Sequence, residues 1–103
     1  MSAEAELKRK RRQLRKSIGE CKGAISFNSR NAAGEEAILA SGEADGIPLT
    51  PAERKKHEKA RQKYHEWAAE AEEALAADRQ ELEAVEEQLA QPKYSHRPPG
   101  TFN

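Results

Sequence analysis

The sequence predicts an all-α fold, an antiparallel helical hairpin of coiled-coil character with a short middle helix and an extended C-terminal tail. Three observations carry this. An uninterrupted forty-residue stretch, 51–90, is rich in Ala, Glu, Lys, Arg and Gln, all strong helix formers. Apolar residues recur every seven positions at both ends of the chain. Basic and acidic residues are segregated into blocks that an antiparallel pairing would bring together.

The first helix is expected over about 3–26. Leu7, Leu14 and Cys21 are spaced by seven, with Arg11, Ile18 and Ile25 between them on the neighbouring row, the pattern of a two-row helical seam with one arginine in it. Gly19 and Gly23 weaken its second half by about 1 kcal/mol each relative to Ala, so the helix is expected to stop between 18 and 26. Ser26 to Asn31 is polar apart from Phe27 and reads as a turn. The segment 32–41 reads as a short helix capped by Asn31 and stopped by Ser41-Gly42. Residues 42–50 contain Gly42, Gly46 and Pro48 and read as a loop.

The long helix has the clearest start. In Thr50-Pro51-Ala52-Glu53, the threonine oxygen can accept from the Glu53 N–H while the glutamate carboxylate reaches back to the Thr50 N–H, and proline occupies the first helical position. Nothing then breaks the helix before Pro92. Ala68, Leu75, Leu82 and Leu89 form one seven-residue row; Tyr64, Ala71, Asp78 and Val85 form the adjacent one. Being longer than the first helix, it is expected to leave Tyr64 and Trp67 open unless 32–41 folds back over them. Residues 92–103, with Pro92, Pro98, Pro99 and Gly100, read as an extended tail, partly polyproline II, following a helical domain over 1–91.

Charge sets the orientation. Residues 8–16 hold Lys8, Arg9, Lys10, Arg11, Arg12, Arg15 and Lys16 and no acid, whereas 70–87 holds eight acids against one base, Arg79. Each block repels itself, and an antiparallel arrangement places them side by side. A parallel one would set the first block against Arg54, Lys55, Lys56, Lys59, Arg61 and Lys63. The same complementarity is available between two chains, so an antiparallel homodimer is equally compatible.

Composition narrows the function classes. Leu, Ile, Val and Phe supply about one residue in seven, so the core must be thin. Charged residues make up 35% of the chain yet cancel to zero net charge. Cys21 is the only cysteine, which excludes an intrachain disulfide and fits a reducing compartment. No apolar run approaches the ~20 residues that span a bilayer, and the basic beginning is not followed by an apolar stretch of signal-peptide type. A cytoplasmic protein without membrane attachment is expected. The string Lys8 to Arg12 also has the composition of a nuclear-localisation signal, though solvated helices often carry such strings.

No catalytic, metal or cofactor site is expected. His57 and His65 lie eight residues apart, too far for one metal on a straight helix, and Glu53 with His57 makes only a pair. Phosphate loops, nucleophile elbows and paired-cysteine motifs are missing from the sequence. The expected function is therefore a non-enzymatic protein–protein interaction module, an adaptor or inhibitor docking on a larger protein complex. Its candidate contacts are Trp67 and Tyr64, because large aromatics concentrate at binding hot spots, and the tail residues Tyr94, Arg97, Pro98, Pro99 and Phe102, suited to lying in a groove. The alternative is a small RNA- or DNA-binding regulator acting through Lys8, Arg9, Arg11, Arg12, Arg15 and Lys16. Nucleic acid could then be met directly or through the protein partner. The acids Glu35, Glu36, Glu43 and Asp45 near the turn are a further surface suited to a cationic channel.

Overall fold

The computed structural model describes residues 2–91, and the predicted tail with its candidate contacts lies outside them. Two helices account for nearly all of it: α1, Ala3–Ser41, and α2, Pro51–Ala90. They pack along each other in an elongated body of 78 × 26 × 17 Å. Residues that meet across the pair run in reverse order, from Arg15 with Glu86, through Ser17 with Asp78, to Glu36 with His65.

Local chemistry explains the helix ends. Ser2 begins α1, its hydroxyl accepting from the Ala5 N–H at 3.1 Å. Gly42 ends it in the left-handed region at φ 74°, its N–H donating to the Ile38 carbonyl at 2.9 Å, so Ser41-Gly42 is the stop the sequence suggests. The capping box of α2 forms as expected: the Glu53 N–H donates to Thr50 Oγ1 at 3.1 Å, and the Thr50 N–H donates to Glu53 Oε1 at 2.9 Å. Between the helices, β1 (Glu43–Ala44) pairs antiparallel with β2 (Ile47–Pro48). The expected loop thus closes as a tight turn on Asp45 and Gly46, both at positive φ, 51° and 78°. Asp-Gly is the dipeptide that such a two-residue turn favours.

One expectation is overturned. There is no separate short helix over 32–41 and no turn over 26–31; α1 runs unbroken for 39 residues, against 40 in α2. Asn31 therefore caps nothing. The reason is visible in the rows. The row Leu7, Leu14, Cys21 continues without a phase break into Asn28 and Glu35, and Arg11, Ile18, Ile25 continues into Ala32 and Leu39. Every one of these residues is buried or half-buried. On α2 the same holds for His57, Tyr64, Ala71, Asp78 and Val85, and for Arg61, Ala68, Leu75, Leu82 and Leu89. Stopping α1 at 26 would leave the α2 rows uncovered over their first half. Burying them offsets the propensity cost of Gly19, Gly23, Ser26, Asn28 and Ser29, which is a few tenths to 1 kcal/mol each.

The core remains thin. Among the described residues, the buried hydrophobics are Leu14, Ala32, Ala68 and Val85, two of them alanines. Asn28 is buried beside them, its amide donating to the Ala24 carbonyl at 2.9 Å, which satisfies it without a partner from α2. No described helix is long and apolar enough to cross a membrane.

Candidate interaction surfaces

The contacts between α1 and α2 divide the outside of the pair into two flanks. One is marked by Lys10 Nζ against Glu81 Oε2 at 2.7 Å and by Ser17 against Asp78. The other is marked by Arg15 Nη2 against Glu86 Oε2 at 3.1 Å and by His65 Nε2 against Glu36 Oε1 at 2.8 Å.

Trp67 is two heptads before Glu81 on the same row of α2, which places it on the first flank. It is 48% exposed, and its ring meets Tyr64 edge to face, with centroids 5.8 Å apart and planes at 74°. Tyr64 itself belongs to a covered row and is half-buried. The aromatic pair is therefore split: Tyr64 is part of the packing, and Trp67 stands outside it. The full length of α1 does not cover Trp67, because α1 runs beside the inner rows and the tryptophan lies one row further out.

Phe27 joins this flank, a residue that reading 26–31 as a turn leaves out of the candidate set. It follows Ala24 by three positions, and Ala24 follows Ser17 by seven, so it sits beside the row that marks the first flank. It is 60% exposed. The cross-helix pairs Cys21–Asp78 and Glu35–His57 bracket its level, which falls roughly opposite residue 69, within about one turn of Trp67. The unbroken seven-residue rows through Asn28 and Ala32 were the signal that could have found it: they turn position 27 outward. The other flank carries Arg12, Arg15, Lys22, Glu72, Arg79, Glu83 and Glu86 and exposes neither of these rings.

The basic block is only partly neutralised by the acidic one. Lys10 and Arg15 reach Glu81 and Glu86, and Lys8 stays on its own helix, 4.0 Å from Glu4. Among the described residues, Arg9, Arg12 and Lys16 make no ion pair. They occupy rows on the outside of α1 and are exposed, whereas Arg11 is half-buried on an inner row.

The acids near the turn do not form one surface. Glu35 is half-buried, its Oε2 lying 2.5 Å from His57 Nδ1, and Glu36 meets His65; Glu43 and Asp45 stay exposed on the turn. Glu53 is committed to the cap of α2. Its carboxyl is held below the ordinary range, first by the hydrogen bond from the Thr50 N–H and then by the Thr50 hydroxyl. Cys21 is a half-buried free thiol whose Sγ lies 3.9 Å from Asp78 Oδ2. A depression is lined by residues of α2 alone, Lys59, Gln62 and Glu66 among them, which gives it a floor but no opposing wall. No group of three or more metal-ligating side chains gathers among the described residues.

Comparisons of the chain with protein-family models, with curated proteins and with solved structures gave no match.

Proposed function

We propose that this chain is a non-enzymatic protein-binding module, of adaptor or inhibitor type. In this reading it is an antiparallel coiled-coil hairpin that works by seating the Phe27–Trp67 flank against another protein. The observation that carries the reading is the asymmetry of the flanks: a tryptophan and a phenylalanine stand exposed at the same level on one, and neither on the other. Large aromatics left exposed on one side of a molecule mark interaction surfaces. The thin core points the same way, since covering this flank adds apolar burial that the two helices cannot supply alone. A photo-crosslinking residue placed at position 67 should capture a protein, and the same residue at Ala76 on the other side of α2 should not. Equal capture at both, or capture at neither, rejects the reading.

The alternative, a small RNA- or DNA-binding regulator, is favoured by a separate observation: among the described residues, Arg9, Arg12 and Lys16, exposed on the outside of α1, make no ion pair. Their spacing by three and four puts them on one stripe able to follow a phosphate backbone. Binding through them would weaken steeply with salt, and replacing all three with Gln would abolish it. A response flat in salt rejects this alternative.

A further inference from the structure

The flank that carries Trp67 has an internal symmetry on α2. Its stripe, read along the helix, is Ala60, Lys63, Trp67, Glu70, Ala74, Ala77, Glu81 and Ala84. The steps alternate between three and four, so these positions share one side of the helix. Turned end for end about a point near residue 72, the stripe falls on itself, with opposite charges meeting at its outer part and the indole meeting an alanine further in. Lys63 comes opposite Glu81, Trp67 opposite Ala77, Glu70 opposite Ala74, and Ala60 opposite Ala84.

We propose that the occupant of this flank is a second copy of this chain, docked by a two-fold axis that passes near residue 72 of α2 and sets α2 antiparallel to α2 of the other copy. The proposal rests on the protein-binding reading and names its partner. A two-fold interface is self-complementary, each feature on one copy meeting a different feature of the same surface on the other. Here the features are a protruding indole, a shallow alanine pair to receive it, and a lysine and a glutamate at matching distances from the axis. All but the half-buried Ala60 are exposed in the single chain. Lys63 can be recruited from its exposed 3.7 Å contact with Glu66 on its own helix, and Glu81, which already meets Lys10 at 2.7 Å through Oε2, has a second carboxylate oxygen to accept from it. Phe27, on the same flank of α1 and roughly opposite residue 69, lies within about one turn of the axis and adds a second aromatic. The result is a four-helix assembly in which the indole passes from half-exposed to covered, supplying the core that Leu14, Ala32, Ala68 and Val85 make so small.

Charge makes the arrangement testable without relying on a variant that fails to fold. Sedimentation equilibrium of the purified full chain, from low to high micromolar, should give the mass of a dimer. Trp67→Ser should raise the dissociation constant about 30-fold or more, as loss of a central tryptophan does. Lys63→Glu places glutamate opposite glutamate; Glu81→Lys places lysine opposite lysine and also loses the Lys10 contact within the chain, so each variant alone, once circular dichroism shows wild-type helicity, should dissociate more readily than wild type. Mixed in equal amounts, the two should dimerise again, because both contacts of the mixed pair then join opposite charges. A monomeric wild type overturns the proposal, as does a dimer indifferent to all three substitutions or a mixture no tighter than its components. A monomer that still crosslinks another protein through position 67 would discard the second copy while keeping the protein-binding reading. Loss of both would discard both.

Discussion

Ser17 donates a 2.5 Å hydrogen bond across the helix pair to Asp78 Oδ2, and Cys21 Sγ approaches the same oxygen at 3.9 Å. Asp78 is the only carboxylate in its row, between Ala71 and Val85. A heptad slide of α1 would keep two packed rows in contact but would move Ser17 and Cys21 away from it. A slide brings Lys10 or Asn28 towards Asp78 instead and breaks the Lys10–Glu81 and Arg15–Glu86 pairs, so this contact favours the observed register together with those ion pairs.

Replacing the pair by apolar residues should therefore stabilise the molecule and loosen its register. The double variant Ser17→Ala/Asp78→Leu is expected to gain about 1–3 kcal/mol, read as a higher urea midpoint. Paired spin labels on α1 and α2 should show a broader distance distribution in the same variant. An unchanged distribution would mean that register is held elsewhere.

The glycines inside α1 are open to improvement. A methyl group at Gly19, Gly23 or Gly34 would meet nothing within 4 Å. Each change to alanine should add about 1 kcal/mol through helix propensity and lower chain entropy in the unfolded state. The melting temperature should rise stepwise as they are combined. A fall at any one would reveal a close approach of another backbone, such as a docked copy.

The turn behaves oppositely. At Gly46 there is equal room for a methyl group, yet φ is +78°, where L-residues are strained. Gly46→Ala should cost roughly 1–2 kcal/mol from backbone conformation alone. Asp45→Asn, at φ 51°, should be close to neutral, since asparagine also tolerates this region. Chemical denaturation of the two variants separates these outcomes.

The start of α2 carries an acid-sensitive contribution. Thr50→Ala should destabilise by about 1 kcal/mol. The Glu53 carboxyl is lowered in the folded protein, chiefly by the Thr50 N–H. Its stabilisation is therefore complete above the unfolded carboxyl's range and is lost as pH falls through the lower folded value. Glu53→Gln should remove that part of the acid limb, so that wild type and variant converge in melting temperature at low pH and separate near neutrality. A constant difference across pH would contradict this role.

Much of the architecture was legible because it rests on short-range chemistry. The Thr50-Pro51-Ala52-Glu53 box, the Ser41-Gly42 stop and the rows Leu7–Leu14–Cys21 and Ala68–Leu75–Leu82–Leu89 each depend on residues within a turn or two of one another. The stretch 26–31 reads as a turn in sequence yet is helical, because local propensity and long-range packing oppose each other there. Ser26, Asn28, Ser29 and Asn31 are weak helix formers, and only the partner helix makes their helical conformation worthwhile. The candidate site was legible in part: Trp67 and the outward cations follow from composition and spacing, while Phe27 was hidden by the expected turn.

By itself, then, the amino-acid order determined an all-α chain, the bounds of α2, the seven-residue rows and the separation of charge, because caps, breakers and periodicity act through near neighbours. Only the tertiary structure decided that α1 continues to Ser41, that Tyr64 is half-buried while Trp67 and Phe27 stand open on one flank, and which cations of 8–16 reach an acid of α2. Those outcomes depend on what lies across the helix pair, where burial against α2 outweighs the local cost of glycine and asparagine, and where the register selects which side chains meet.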